Sequence, residues 1–186
     1  MREKSYLLLV HHPTVDREGK IITSAITTLD MHDFARLAKT YGLGGVLVQT
    51  NLPQQVELIK RLLGHWTEGY GGERNAHRKE AIEGVTFWPT VSESLGSVQK
   101  AHGERPIVIA TSARDVGLPV ITFAEARKRC EESGGPSVIV FGTASGLAQE
   151  VFSECDYVVE PIGSPSGYNH LSVRSAASIV VDRIFG

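Results

Sequence analysis

Short, wholly apolar runs alternate with stretches whose apolar residues recur at helical spacing, from one end of the chain to the other. Residues 6–10, 45–50, 85–88, 106–111, 137–141 and 157–160 read as strands, each a brief apolar run bounded by turn-forming residues. Between them, residues 30–41, 53–66, 92–101, 123–132 and 147–154 carry helical patterns. Gly42 closes the first helix, because the position after a helix end favours the left-handed backbone that glycine adopts freely. Pro53 opens the second, where its missing N–H is not needed. Gly96 interrupts the third. The last element, residues 170–185, places Val173, Ala176, Ala177, Val180 and Ile184 on one helical stripe. Strands such as Ile107-Val108-Ile109 and Val138-Ile139-Val140 are apolar on both faces, which suits a parallel sheet covered by helices on both sides. The pattern predicts an α/β fold with a mostly parallel sheet, built as a single domain over residues 1–186 without linker or internal repeat.

Composition narrows the setting without altering that picture. No apolar run approaches the ~18–20 residues of a membrane helix. The run at 6–10 is also too short for a signal-peptide core, so a cytoplasmic location is expected. Cys130 and Cys155 are the two cysteines, with no CxxC pair, so neither structural zinc nor a disulfide is indicated. His11 and His12 are adjacent and would point to opposite faces of a strand, so no metal site is expected there. A net charge of −2 argues against a surface that grips nucleic acid all over, and leaves room for a local basic patch.

In open α/β sheets, ligands bind beyond the carboxyl ends of the strands. Three predicted strands run there into small or glycine-rich loops. These are Thr111-Ser112-Ala113-Arg114, Gly142-Thr143-Ala144-Ser145-Gly146, and the segment 161–169 with Gly163 and Gly167. Small residues let a ligand approach the backbone closely. Neither GxxxxGK[ST] nor GxGxxG is present, so phosphate and dinucleotide loops are not indicated. A ligand held by backbone polar groups and apolar walls fits better, and adenosine with a methionine-like tail is one.

Residues 138–183 resemble the cofactor half of the SPOUT superfamily, the trefoil-knotted RNA methyltransferases that use S-adenosylmethionine. The resemblance rests on Phe141-Gly142-Thr143-Ala144-Ser145-Gly146-Leu147, Glu160-Pro161-Ile162 and Asn169-His170-Leu171-Ser172-Val173. In the other half, Arg36-Leu37-Ala38-Lys39-Thr40-Tyr41-Gly42-Leu43 is similar to the first motif of the ribose-methylating branch, with Asp30 replacing its Asn. The whole chain looks most like a bacterial subgroup found alone or fused to tRNA guanine-N1 methyltransferases. The resemblance implies a C-terminal trefoil knot, a homodimer joined through the knotted region, an RNA substrate and S-adenosylmethionine as cofactor. It implies that Thr111, Ser112, Phe141, Gly142, Thr143, Gly146, Glu160, Pro161, Ile162, Leu171 and Ser172 bind that cofactor, and that Arg36, His170 and Asn169 serve catalysis.

Several of these residues have more than one role open to them. Arg36 could ease proton loss from the nucleophile or anchor an RNA phosphate, and its plain structural role is a pair with Asp33. His170 could accept a proton or pack the helix start. Glu160 could face the ligand or pair with Arg174 or Arg114, and Asn169 could cap the last helix. Ala144 and His170 depart from the ribose-branch pattern, which leaves the methylated position open. The segment 69–79 carries Arg74, His77, Arg78 and Lys79 near Tyr70 and Trp66, a mix suited to RNA contact or to a solvated loop. The competing reading is a knotted module that keeps RNA or cofactor affinity without catalysis and assists a tRNA-modifying partner. A flavodoxin-like nucleotide-binding or hydrolase domain is disfavoured, since the chain has no phosphate loop and no GxSxG turn.

Overall fold

The computed structural model describes residues 2–67, 76–132, 134–168 and 170–186. Its centre is β1 (Ser5–Val10), in which Leu7, Leu8, Leu9 and Val10 are all fully buried. On one side β1 pairs in parallel with β4 (Gly45–Gln49), which pairs with β5 (Val85–Trp88). On the other side it pairs with β8 (Ser137–Gly142), next to β6 (Ile107–Thr111). Beyond β6 lies β9 (Tyr157–Val159), then the two-residue β7 (Val120–Ile121). All seven strands are parallel, and the order is β5-β4-β1-β8-β6-β9-β7. β9 therefore sits between two strands that precede it in the chain.

Side chains alternate across these strands and sort the helices into two layers. Leu7, Leu9, Val46, Val48, Ile109, Ile139, Phe141 and Val159 face one side. There they meet α1 (Thr28–Thr40), α2 (Pro53–Thr67), α3 (Ala76–Ile82), α5 (Phe123–Glu132) and α7 (Val173–Phe185). Leu8, Val10, Leu47, Val108, Ala110, Val138 and Val140 face the other side, against α4 (Val91–His102) and the short α6 (Gln149–Phe152). Each buried Leu, Ile or Phe in these layers contributes about 1.5–3 kcal/mol. Caps set the helix starts. Thr27 accepts the N–H of Asp30 at α1, Thr90 that of Glu93 at α4, and Ser172 that of Ser175 at α7.

The expected α/β architecture is borne out, with differences at the edges. The last helix begins at Val173 rather than at 170, because Ser172 caps it and the preceding residues are irregular. Asn169, the expected cap, lies outside the described residues. The helix expected at 147–154 shrinks to Gln149–Phe152, since Ala148 is still extended. Three elements carried too few residues to show a period: α3, β7, and a hairpin of β2 (Thr14–Val15) and β3 (Ile21–Ile22). Among the described residues, no helix is long and apolar enough to cross a membrane. Cys130 and Cys155 are both free and buried, and burial pushes the Cys155 thiol up to about 12.

Candidate functional site

Because every strand of the main sheet runs the same way, the C-terminal ends of β6, β8 and β9 open on one edge. The loops that leave them enclose a cavity of about 610 Å³. That is the size of a small-molecule site. Thr111, Ser112 and Arg114 line it from the first loop, Gly142, Ala144 and Gly146 from the second, and Glu160, Pro161 and Ile162 from the third. His170, Leu171 and Ser172 close it ahead of α7, whose Ala176 and Val180 form part of the wall. The structure thus brings together nine of the eleven residues expected to bind cofactor, and His170 with them.

Phe141 and Thr143 do not line the cavity. Strand alternation turns Phe141 into the helix layer, where its ring meets Phe34 edge-on at 5.5 Å. Thr143 points back under the loop. Its hydroxyl donates to the Val10 carbonyl at 3.0 Å and is hydrogen-bonded to Ser24 Oγ. A hydroxyl has one proton to donate, so Ser24 Oγ donates to Thr143 and accepts from His11 Nδ1–H at 2.9 Å. The His11 Nε2 lone pair is then left buried without a partner among the described residues. A proton placed there would find no acceptor. Burial accordingly lowers the His11 pKa to about 4, against a smaller upward pull from Asp30.

The glycine loop is held from below by the hairpin, which sequence reasoning missed. Val15 N–H donates to the Gly146 carbonyl at 3.0 Å, Ser145 N–H to the Val15 carbonyl at 2.9 Å, and Ala148 N–H to the Pro13 carbonyl at 3.2 Å. Gly142 cannot carry a side chain, because a Cβ there would lie 2.8 Å from the Leu147 backbone nitrogen. Gly146 adopts φ of 118°, in the region that favours glycine.

The charged residues are placed less as expected. Glu160 pairs with neither Arg174 nor Arg114. Its Oε1 accepts the Phe123 N–H at 2.8 Å, at the start of α5. Arg174 instead bridges Asp30 at 3.4 Å and Asp33 at 3.0 Å. Asp33 is therefore not the partner of Arg36. Exposed on α1, Arg36 lines a separate cleft of about 360 Å³ between α1 and α7, with Asp33, Leu37, Thr40, Arg174 and Ser175. Ser172 borders both cleft and cavity. His77 is exposed on α3, and the Arg78 guanidinium stacks 4.3 Å over the Trp66 ring. His32 meets the same ring edge-on at 5.6 Å, and its pKa is lowered by burial first and by the Arg78 charge second. Arg74 lies outside the described residues. Among the described residues, no group of three or more His, Cys, Asp or Glu side chains could hold a metal.

A parallel sheet with a cavity at three adjoining strand ends places the molecule among the α/β proteins that bind ligands beyond the carboxyl ends of their strands. Residues 4–186 match the family described as SAM-dependent RNA methyltransferase, and the chain belongs to that family. It is 44% identical over 181 residues to the tRNA (guanine-N(1)-)-methyltransferase of Oleidesulfovibrio alaskensis, covering 97% of this chain and 42% of that protein. The chain therefore spans less than half the length of this curated relative. Among solved structures, a probable methylase family protein from Haemophilus influenzae superposes with a TM-score of 0.65 at 19% identity, over 99% of this chain and 66% of that one. The SpoU methyltransferase AviRb from Streptomyces viridochromogenes, in complex with the cofactor AdoMet, superposes with a TM-score of 0.56 at 15% identity, over 97% and 56%. These likenesses are of fold, and they agree with the SPOUT resemblance read from the sequence. The residues of the cavity fit the family's cofactor. Gly142 lets the loop fold tightly against Leu147 and Gly146 leaves room for the Arg114 guanidinium, while Val159, Ile162, Leu171 and Val180 supply apolar wall.

Proposed function

We propose that this chain transfers a methyl group from S-adenosylmethionine to RNA, with tRNA as the first substrate to test. The observation that carries the reading is the cavity itself, where the loops of the matched family meet around glycines that tolerate no side chain. Thr111, Ser112, Gly142, Gly146, Glu160, Pro161, Ile162, Leu171 and Ser172 would hold the cofactor, largely through the main chain. Phe141 and Thr143 would act one layer behind, by shaping the loop. When bound, the cofactor supplies a methyl group on a sulfonium, which an RNA hydroxyl or ring nitrogen attacks. His170 at the cavity rim is suited to take the proton that the nucleophile loses. Arg36, across Ser172 in the adjoining cleft, is suited to hold an RNA phosphate. Arg74, His77 and Arg78 are the further RNA-contact candidates, and Asn169 stays a catalytic candidate beside His170. The tRNA assignment draws on the name of the Oleidesulfovibrio relative, of which this chain spans only part.

We further infer a homodimer formed through the C-terminal region and acting in the cytoplasm, and a trefoil knot in that region. Two features support the knot: β9 lies between β6 and β7, and α7 packs back against α1 and α5. The test is transfer of labelled methyl to bulk tRNA and rRNA, alongside calorimetric titration with S-adenosylmethionine and S-adenosylhomocysteine. Saturable cofactor binding with label in one RNA pool is expected. Binding without transfer would instead point to a non-catalytic module, and absence of binding by folded protein would remove the cofactor site.

A further inference from the structure

We infer that Arg114 reads the carboxylate of the cofactor's methionine tail, a role resting on the cofactor cavity assigned above. Arg114 ends the Thr111-Ser112-Ala113-Arg114 loop and is the sole arginine or lysine among the described residues lining the cavity. The rest of the lining is main chain, hydroxyls and apolar surface, apart from Glu160 and His170. Adenine and ribose carry no formal charge, whereas the tail carries a carboxylate. A single fixed cation in the cavity therefore meets a single fixed anion on the ligand.

The guanidinium is available for that contact. It forms no salt bridge among the described residues, all of whose ion pairs involve other groups. Two carboxylates beside it are turned to main-chain donors, with Asp115 accepting the Gly117 N–H at 3.0 Å and Glu160 the Phe123 N–H at 2.8 Å. Its hydrogen bond runs from Nη2 to the Leu147 carbonyl at 3.4 Å, longer than a charged donor normally accepts as its best partner.

The guanidinium is also positioned. Ser112 Oγ accepts the Arg114 N–H at 3.0 Å and donates to the Arg114 carbonyl at 2.9 Å, which closes the loop around the residue. Gly146 gives the guanidinium room, since a Cβ there would come within 3.3 Å of Nη2. The arginine thus lies across the glycine loop, on the wall between this cavity and a second one lined by Val15, Val116 and Phe152.

The experiment is calorimetric titration of the full chain and of Arg114→Ala and Arg114→Lys. The ligands are S-adenosylhomocysteine and 5′-methylthioadenosine, the latter keeping the adenosine and thioether but lacking the aminocarboxylate. Arg114→Ala should weaken S-adenosylhomocysteine about tenfold, in the range of one charge-assisted hydrogen bond. Arg114→Lys should recover part of that loss, and 5′-methylthioadenosine should bind all three proteins within about twofold. Equal weakening of both ligands would overturn the inference, because it would mean a displaced loop. Unchanged S-adenosylhomocysteine affinity would also overturn it, and a fall in RNA affinity alone would reassign Arg114 to an RNA phosphate. Failure of the folded wild-type chain to bind S-adenosylhomocysteine would remove the cavity assignment and this inference together. Wild-type binding that Arg114→Ala leaves intact would remove only the inference.

Discussion

The cavity at the strand ends and the cleft between α1 and α7 share Ser172, yet they are built from different materials. The cavity is edged by main chain, and its key positions are defined by what is missing, as at Gly142 and Gly146. The cleft is edged by side chains, and its charges are partly spent on one another, with Arg174 already bridging Asp30 and Asp33. A backbone site is preformed when the fold is formed, so its affinity depends on loop geometry. A side-chain site such as the cleft gains its purpose when something charged arrives. On the function proposed above, the cavity would hold the cofactor and the cleft would meet the RNA.

The sharpest way to break the contrast is to add volume to the cavity edge. Gly142→Val should abolish measurable S-adenosylhomocysteine binding, a loss of about hundredfold or more, because its Cβ would lie 2.8 Å from the Leu147 backbone nitrogen as well as against the Leu147 side chain. Retained affinity would show that the loop is not preformed.

The buried support of the loop should give the chain an acid limit. His11 is near 4 in the folded chain and near the ordinary 6.5 when unfolded. The unfolded state therefore takes up the proton first, so stability is fully present above pH 6.5 and is lost as pH falls toward 4. The linked loss is roughly 3 kcal/mol. Urea unfolding at pH 7 and pH 4.5 should show it in the wild type and less of it in His11→Asn. Equal acid sensitivity in both would assign the effect to other groups.

A smaller effect tests the other side of the contrast. Arg36→Ala should lower methyl transfer about hundredfold while leaving cofactor affinity unchanged, since the residue lines the cleft and not the cavity. A matching fall in cofactor affinity, read by calorimetry, would merge the two sites. The mildest change is Ser24→Ala, which removes one link between His11 and Thr143. It should cost about 1 kcal/mol of stability, seen as a lower urea midpoint, with only a few-fold change in affinity.

Most of the sheet was legible because its strands are apolar on both faces, and parallel strands between two helix layers must be. The three loops were legible for a related reason, since a parallel sheet sends every such loop to the same edge. What could not be read was local or conditional. The β2–β3 hairpin and β7 are two residues per strand, shorter than any period, although the hairpin supports the glycine loop. Arg114 gave no signal of its own, because a lone arginine after a strand has many uses until its neighbours are known. Phe141 and Thr143 could have been placed more closely from alternation alone. Ile139, Phe141 and Thr143 fall on one parity, and it is Gly142 that faces the ligand edge. The pairing of Asp33 with Arg174 rather than Arg36 depended on a contact spanning 141 residues, which helix spacing cannot reveal.

The strand order also bears on how the chain is made. β1 and β8 lie far apart in sequence, yet β8 is the partner on one of the two edges of β1, with Leu7 opposite Ile139 and Val10 opposite Gly142. Until β8 has been synthesised, that edge remains an apolar strand with bare N–H and C=O groups. Pairings of such wide separation in sequence form slowly, and exposed strand edges invite association with other chains. Expression yield should therefore respond to temperature and chaperone supply more than the stability of the finished protein suggests.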